Sequence, residues 1–447
     1  MLQREPQSVP FDPVNPKAAL SQLPRAAAVF SLYGADPKDE PYIGRTPNLR
    51  ARLERLLQPS AKHPRRLQLA GRVRHIEWRL TGSEFESLLT QFSLLEKIFG
   101  TKCLERMHLR PPAFVRFFGS NPYPRVAVTH RPSQREAAWV YGPFPSRAAA
   151  ERYAEEALKL FLLRRCTDDL NPDPSNPGCV YSEMKMCLAP CYKGCSDERY
   201  AEEAAAVQDF FASRGGNRLV TLRTERDEAS AALEFESAAA LHAQVEKVEA
   251  VRALAPELVR PLSQLRAVVL QASINPGEVS VFLFGDGVLR GPEVFEGTEK
   301  QGLGTRDVGT REQGSGNREK ESFDSAPSAA ADDAALRMTS EASDLQEEAP
   351  DSLELVAPEA KLTPAVSRAQ LESRLESLIA ALSAPAPSNA TLRQGHLALL
   401  KRWYYRPEAR RAGEIFFPDA EGRWPIRAIL RGIRRVTAEP GSTTAPL

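Results

Sequence analysis

The sequence is poor in cysteine, has almost no net charge and contains no long apolar run. No stretch approaches the ~18 apolar residues that a membrane-spanning helix requires, so a chain free of membrane spans is expected. With 59 Lys plus Arg against 58 Asp plus Glu, the net charge of +1 offers no global attraction to nucleic acid, and any such attraction must be local. The N-terminus, MLQREPQSVPFDP, lacks a cationic start followed by an apolar run. That argues against a secretory signal and for a cytoplasmic location, where disulfides are disfavoured. Of the 6 cysteines, all but Cys103 fall between positions 166 and 195, and none forms the Cys-x2-Cys knuckle of a zinc ribbon.

That cysteine stretch is the least accidental feature present. In RRCTDDLNPDPSNPGCVYSEMKMCLAPCYKGC the cysteines at 166, 179, 187, 191 and 195 are separated by twelve, seven, three and three residues, with Pro172, Pro174, Pro177 and Pro190 between them. Such a segment is too short and polar to bury a core, so disulfides or a bound metal must supply its ordering free energy. The missing secretory signal favours a metal. Loosely spaced thiolates with a proline beside one of them suit an iron-sulfur cluster better than zinc. Five candidates for four ligand places leave one over.

The rest reads as three or four modules, since 42% hydrophobic residues over this length can bury several cores. Residues 1 to 24 are Pro-rich and aperiodic, and are expected to form an extended lead-in. Residues 29 to 32 and 42 to 44 read as strands around a turn at 34 to 41, and Asn48 caps a helix from Leu49 to Leu57. Between Arg45 and Arg79 ten Lys or Arg residues face only Glu54 and Glu77, which makes Arg50, Arg55, Arg65, Arg66, Arg72 and Arg74 candidates for holding phosphates. Ser83 with Glu86 opens a further helix that carries Phe85, Leu88, Leu89, Phe92, Leu95 and Phe99 at helical spacing and stops at Gly100. Two strands and a link (WVYGPFPS) lead from 112 to a helix over 146 to 163. After the cysteines come a helix over 197 to 211, a break at Gly215 and Gly216, a second helix to Leu233, and LEFESAAALHAQVEKVEAV. Residues 266 to 295 read as a β-hairpin, while 298 to 360 hold almost no aromatic residue and are expected to be disordered. In the tail, helices over 367 to 383 and 391 to 402 precede basic residues interleaved with Trp403, Tyr404, Tyr405 and Trp424. That composition suits either nucleic-acid stacking or completion of the preceding sheet.

Three motifs together carry a family resemblance. YIGRTPNLRARLERL, the cysteine run preceded by YGPFPSRAAAERY and LFLLRRC, and the LEFESAAALHAQ segment resemble the UvrC excinuclease family, nucleases of nucleotide excision repair, over about residues 25 to 295. The resemblance implies an α+β multidomain chain. Its parts are a GIY-YIG-like α/β domain (25 to 110), a strand-helix connector (111 to 165), a cysteine-rich metal domain (166 to 196) and a helical region with the UVR hairpin (197 to 255). A partial ribonuclease H-like β region follows (262 to 297), split by the linker (298 to 360) from a C-terminal module (361 to 440). It further implies that Cys166, Cys179, Cys187 and Cys191 hold a [4Fe-4S] cluster, with Cys195 the extra thiol. The hairpin would pair with a UvrB-type partner through Glu234, Phe235, Glu236, Ala238, Ala239, Leu241 and Val245.

The departures from the family pattern are as informative. Phe30 stands where the GIY tyrosine should be, Gln91 at the carboxylate ligand of the divalent metal, Cys103 at a hydrogen-bonding asparagine and Leu56 at a later tyrosine. A phenyl ring has no hydroxyl to orient a proton, and a neutral amide anchors a hard cation poorly. Tyr33, Glu86 and Glu96 are misplaced as substitutes by the periods of strand and helix. Tyr42, Arg45 and Arg52 survive. The expectation is a protein that binds DNA and a UvrB-type partner without cutting. The alternatives are an active endonuclease with Mg2+ or Mn2+ making a single incision, and an iron-sulfur redox-sensing adapter.

Overall fold

The computed structural model describes residues 5–36, 38–57, 69–167, 170–296, 367–385 and 387–438. They form a mixed α/β protein whose described strands make three antiparallel sheets of four strands each. Among the described residues no helix is long and apolar enough to cross a membrane. The expected linker at 298 to 360, with Arg65 and Arg66, lies outside the described residues.

The N-terminal sheet has the order β1-β4-β2-β3, from β1 (Gln7–Pro10), β2 (Ala28–Tyr33), β3 (Tyr42–Thr46) and β4 (His75–Leu80). Helices α1 (Pro16–Gln22) and α2 (Leu49–Leu57) close one core with it, in which Val9, Phe11, Leu20, Phe30, Leu53 and Trp78 are buried. The lead-in is therefore structured where an extended segment was expected. Its prolines sit where they do no harm: Pro10 ends an edge strand and Pro16 begins α1, a position whose N–H has no helical partner. The Asn48 side chain accepts the Ala51 N–H at 3.0 Å, which fixes the start of α2.

Helix α3 (Glu84–Phe99) begins at Ser83, whose hydroxyl accepts the Glu86 N–H at 3.1 Å, and ends at Gly100 with φ 55°. It is followed by α4 (Cys103–Arg106). A 25 to 110 domain boundary would assign α3 to the N-terminal sheet alone. In the structure its apolar side enters a different core, shared with the C-terminal segment.

The middle sheet, β6-β5-β7-β8, comprises β5 (Ala113–Phe117), β6 (Val126–Thr129), β7 (Val140–Phe144) and β8 (Arg260–Pro261). The segment expected to be a link is thus strand β7, with all five residues buried. Its Gly and Pro disguise it, because strands are normally poor in both. Helices α5 (Arg147–Leu158), α6 (Val180–Glu183), α7 (Asp197–Ala212), α8 (Gly216–Ala231) and α9 (Phe235–Ala253) follow. Tyr141, Phe144, Tyr153, Phe210, Phe211, Leu219 and Val248 join sheet and helices in one core.

Strands β9 (Ala267–Ala272), β10 (Glu278–Gly285) and β11 (Val288–Glu296) form a meander. Asp286 and Gly287 both take positive φ at its tight turn, which suits the twist of a two-residue hairpin. Helices α10 (Arg368–Leu382) and α11 (Ala390–Tyr404), strand β12 (Glu414–Phe416) and helix α12 (Ile426–Ala438) complete the third sheet in the order β11-β10-β9-β12. The C-terminal segment therefore supplies an edge strand to the 266 to 295 hairpin, with Ile415 opposite Val269.

His396 on α11 is fully buried, and its Nδ1 accepts the Leu289 N–H at 2.9 Å. Burial pushes its pKa down to about 3 from the usual 6.5. The unfolded chain therefore takes up a proton near pH 6.5 that the folded protein refuses, so this residue's support is complete above that pH and is lost as pH falls towards 3. Stability should drop by about 1.4 kcal/mol per pH unit in that window on its account. Urea unfolding between pH 7 and 5 should show a shallower loss in His396→Gln than in the parent, and equal slopes would contradict the assignment.

Candidate functional site

The cysteine segment runs between α5 and α7 over the middle core. Leu162, just before it, donates its N–H to Glu203 Oε1 at 2.7 Å and accepts at its carbonyl the N–H of Leu188, within the segment, at 3.0 Å. Within it Lys185, Ala189 and Lys193 all adopt left-handed backbone with φ of 52°, 57° and 57°. Such conformations are costly for residues with a Cβ, and persist only where the surroundings impose them.

The structure sorts the five thiols. Burial pushes the Cys187 thiol up to about 11, the Ala189 N–H donated to its Sγ at 3.3 Å pulls the other way, and the charges of Cys166, Cys179 and Cys191 add to the rise. Cys191 is raised by burial and then by Cys179 and Cys166. Cys187 and Cys191 thus lie within electrostatic reach of each other and of Cys166 and Cys179. Cys195 is raised by burial and by Asp197, and stands apart beside Arg199. Buried Arg164 brings a guanidinium to the group, with Nη1 3.5 Å from Cys166 Sγ and Nε donating to Tyr123 O at 2.9 Å. Four thiols beside a fixed cation form a donor set suited to a thiophilic metal centre. Among the described residues, however, no three His, Cys, Asp or Glu side chains already stand in metal-holding geometry.

In the N-terminal sheet Phe30 is buried over Gly44, where a Cβ would lie 2.6 Å from its ring. Tyr42 packs beside it, with ring centroids 6.1 Å apart. Alternation along β3 sends Arg45 to the other face, where its Nη1 lies 3.3 Å from Glu84 Oε1 at the start of α3. Tyr42 and Arg45 are therefore not gathered in one centre. Arg52 is half-buried on α2 and makes no side-chain hydrogen bond or ion pair among the described residues. Gln91 is half-buried on α3 and Cys103 is fully buried in the shared core. Neither substitute carboxylate is free: Glu86 Oε2 accepts the Gly82 N–H at 2.8 Å, and Glu96 Oε1 accepts from Asn389 Nδ2 at 3.0 Å. Tyr33 stacks obliquely near His75, and burial and Glu77 raise its hydroxyl pKa.

The basic residues between 45 and 79 divide in the same way. Arg50 donates to Leu23 O and Ser21 O, both at 2.6 Å, and so ties α2 to the end of α1. Arg74 donates to Gly71 O and Val73 O at 2.8 Å. Arg72 lies 3.9 Å from Asp39, and exposed Arg55 bonds the carbonyl of Ala51. The residues that sequence reasoning missed are Glu84, Arg402 and Arg406. Arg406 grips Glu84 through two bonds of 2.7 and 2.8 Å, across 322 positions of chain, a pairing no local pattern signals.

Helices α8 and α9 form a hairpin whose tip is open. Leu233 and Phe235 are 71% and 66% exposed, and Glu234, Glu236 and Ala239 are exposed beside them. Leu241 and Val245 turn inward to the middle core, so the expected outer contact surface is narrower than the sequence implied.

Comparison with known proteins decides the middle of the chain. Residues 115–210 match the UvrC/Cho excinuclease middle domain and 216–251 the UvrB/uvrC motif. Residues 115–210 and 216–251 are thus similar to the middle domain and the UVR motif of the UvrC/Cho family. Among curated proteins it is similar to UvrABC system protein C of Alcanivorax borkumensis, 31% identical over 238 residues, which is 53% of this chain and 39% of that protein. The corresponding protein of Carboxydothermus hydrogenoformans is 27% identical over 64% of this chain and 46% of its own length. That of Pseudomonas protegens is 26% identical over 61% and 44%. The chain thus spans less than half the length of these relatives. No solved structure matches it. The matched block contains all five clustered cysteines and the α8–α9 hairpin.

The internal role of Arg50 has a measurable consequence. Arg50→Ala should lower unfolding stability by about 1.5–3 kcal/mol, the usual worth of hydrogen bonds made by a charged donor. A melting curve unchanged by the substitution would return Arg50 to the solvent-facing set.

Proposed function

We propose that this chain is a nucleotide excision repair protein that binds DNA and a UvrB-type partner and whose own incision centre is impaired. The observation that carries the reading is the succession of a middle-domain match and a UVR-motif match, the latter spanning a hairpin with an exposed apolar tip at Leu233 and Phe235. An open apolar patch rimmed by Glu234 and Glu236 is suited to receiving another helical hairpin.

Within this reading the N-terminal module is GIY-YIG-like and degenerate, the 267 to 296 meander is a remnant of a ribonuclease H-like domain, and the protein works in the cytoplasm. Cys166, Cys179, Cys187 and Cys191 would hold a [4Fe-4S] cluster, with Arg164 balancing thiolate charge and Cys195 outside the set. The cluster, when bound, supplies ordering to a segment that has little core of its own. The impairment follows from chemistry at two positions. Phe30 offers no hydroxyl and Gln91 no negative charge, while Glu86 and Glu96 are committed to Gly82 and Asn389. Loss of a general base alone typically costs about 10²- to 10⁴-fold, and the missing carboxylate weakens metal binding besides.

Two measurements test this. Anaerobically purified protein should be brown with about four irons per chain. Cys187→Ala should lose the colour and Cys195→Ala should keep it; stoichiometric zinc without iron would overturn the cluster assignment. On damaged duplex DNA with Mg2+ or Mn2+ the protein should bind without nicking. Robust metal-dependent cleavage, abolished by Tyr42→Phe or Arg52→Ala, would identify a working nuclease.

A further inference from the structure

A cationic cluster outside the family-matched block lies where the N-terminal sheet meets α11. Arg45 on β3 and Arg406 just beyond α11 converge on one carboxylate, Glu84 at the start of α3. Arg406 engages it as a two-pronged fork, and Arg45 adds a third bond of 3.3 Å. Arg402, one turn earlier on α11, is exposed and makes no side-chain hydrogen bond or ion pair among the described residues. It lies close enough for its charge to act on both Arg45 and Glu84. Three guanidiniums against one carboxylate leave two positive charges uncompensated. Half-buried Lys401, the neighbour of Arg402 on α11, sits within reach of the charge of exposed Arg110.

Like charges are brought together at a cost unless an anion shares the site. Glu84 answers part of that cost. Its side chain is 45% exposed, and those of Arg45 and Arg406 are 33% and 24% exposed, so the fork is open to solvent rather than sealed in the core. A guanidinium fork that fits a carboxylate also fits two oxygens of a phosphate diester.

We propose that Arg45, Arg402 and Arg406 form a phosphate-backbone site for duplex DNA, in which Glu84 occupies the fork until a phosphate displaces it. The site is made jointly by the N-terminal sheet and the C-terminal helix. It extends the DNA contact to a part of the chain outside the matched family segments, and it rests on the DNA-binding reading above. Glu84 then acts as an internal competitor that weakens binding to non-cognate backbone.

Fluorescence anisotropy of a labelled DNA duplex, titrated with the full chain over a series of salt concentrations, tests this. Arg402→Ala removes a side chain with no partner to lose, so the fold should be unaffected. It should reduce the slope of log affinity against log salt by about 0.9, the change for one lost phosphate contact. Glu84→Gln keeps an oxygen for the fork but removes the competing charge, and should tighten binding at low salt. A parent that binds while Arg402→Ala leaves affinity and slope unchanged, or a Glu84→Gln variant that binds more weakly while melting normally, would overturn this site alone. A parent with no measurable DNA binding would overturn the proposed function together with it.

Discussion

The close approach of α3 and α11 at Phe92 and Gly395 fixes the geometry on which the other parts depend. A Cβ at Gly395 would lie 2.0 Å from the Phe92 ring, so only glycine lets the two helices meet there. Phe85, two turns earlier on α3, stacks edge-on against Phe282 of β10 with centroids 5.2 Å apart, and lies 5.4 Å from Trp403 of α11. Through these rings the helix following the N-terminal sheet becomes part of the C-terminal core. Interiors packed at this density transmit displacement, so α3 cannot rotate without disturbing both α11 and the third sheet.

That commitment governs what α3 can offer chemically. Its apolar side is used by the shared core, and among the polar positions this leaves, exposed Glu84 and half-buried Gln91 lie seven residues apart and therefore on nearly the same helical face. Glu84 is already engaged by two arginines, and Gln91 is neutral. In the proposed reading the module keeps cations that can hold phosphate while Gln91 stands where a hydrolytic metal would need a carboxylate. Burial of neutral His396 beside Phe92, with ring centroids 5.4 Å apart, belongs to the same junction, so acid attacks the protein where its two halves join.

Local signals made much of this legible in the sequence. Asn48, Ser83, Ser146 and Ser196 each cap a helix through a side-chain oxygen, and a cap identifies a helix start without knowledge of the fold. The cysteine spacing likewise marked a segment in which Cys187 and Cys191 lie within electrostatic reach of Cys166 and Cys179. Strands β1 and β7 were hidden by Pro and Gly, residues that normally argue against strands and are tolerated here at an edge and in a short buried pairing. Completion of the 266 to 295 sheet by the tail was one of the readings its composition allowed, but the register of β12 on β9 and the grip of Arg406 on Glu84 were beyond reach for a different reason. They join segments more than 140 and more than 300 positions apart, and no periodicity encodes a contact at that separation. The carbonyl bonds of Arg50 and Arg74 were not legible, because charge counting cannot show whether a guanidinium also binds a carbonyl.

The proposed loss of two catalytic groups is tested most directly by restoring both. Phe30→Tyr with Gln91→Glu, assayed on damaged duplex DNA with Mg2+ and Mn2+, should gain metal-dependent nicking that the parent lacks. A doubly restored protein that folds, binds DNA and still leaves every strand intact would contradict the assignment of these two positions.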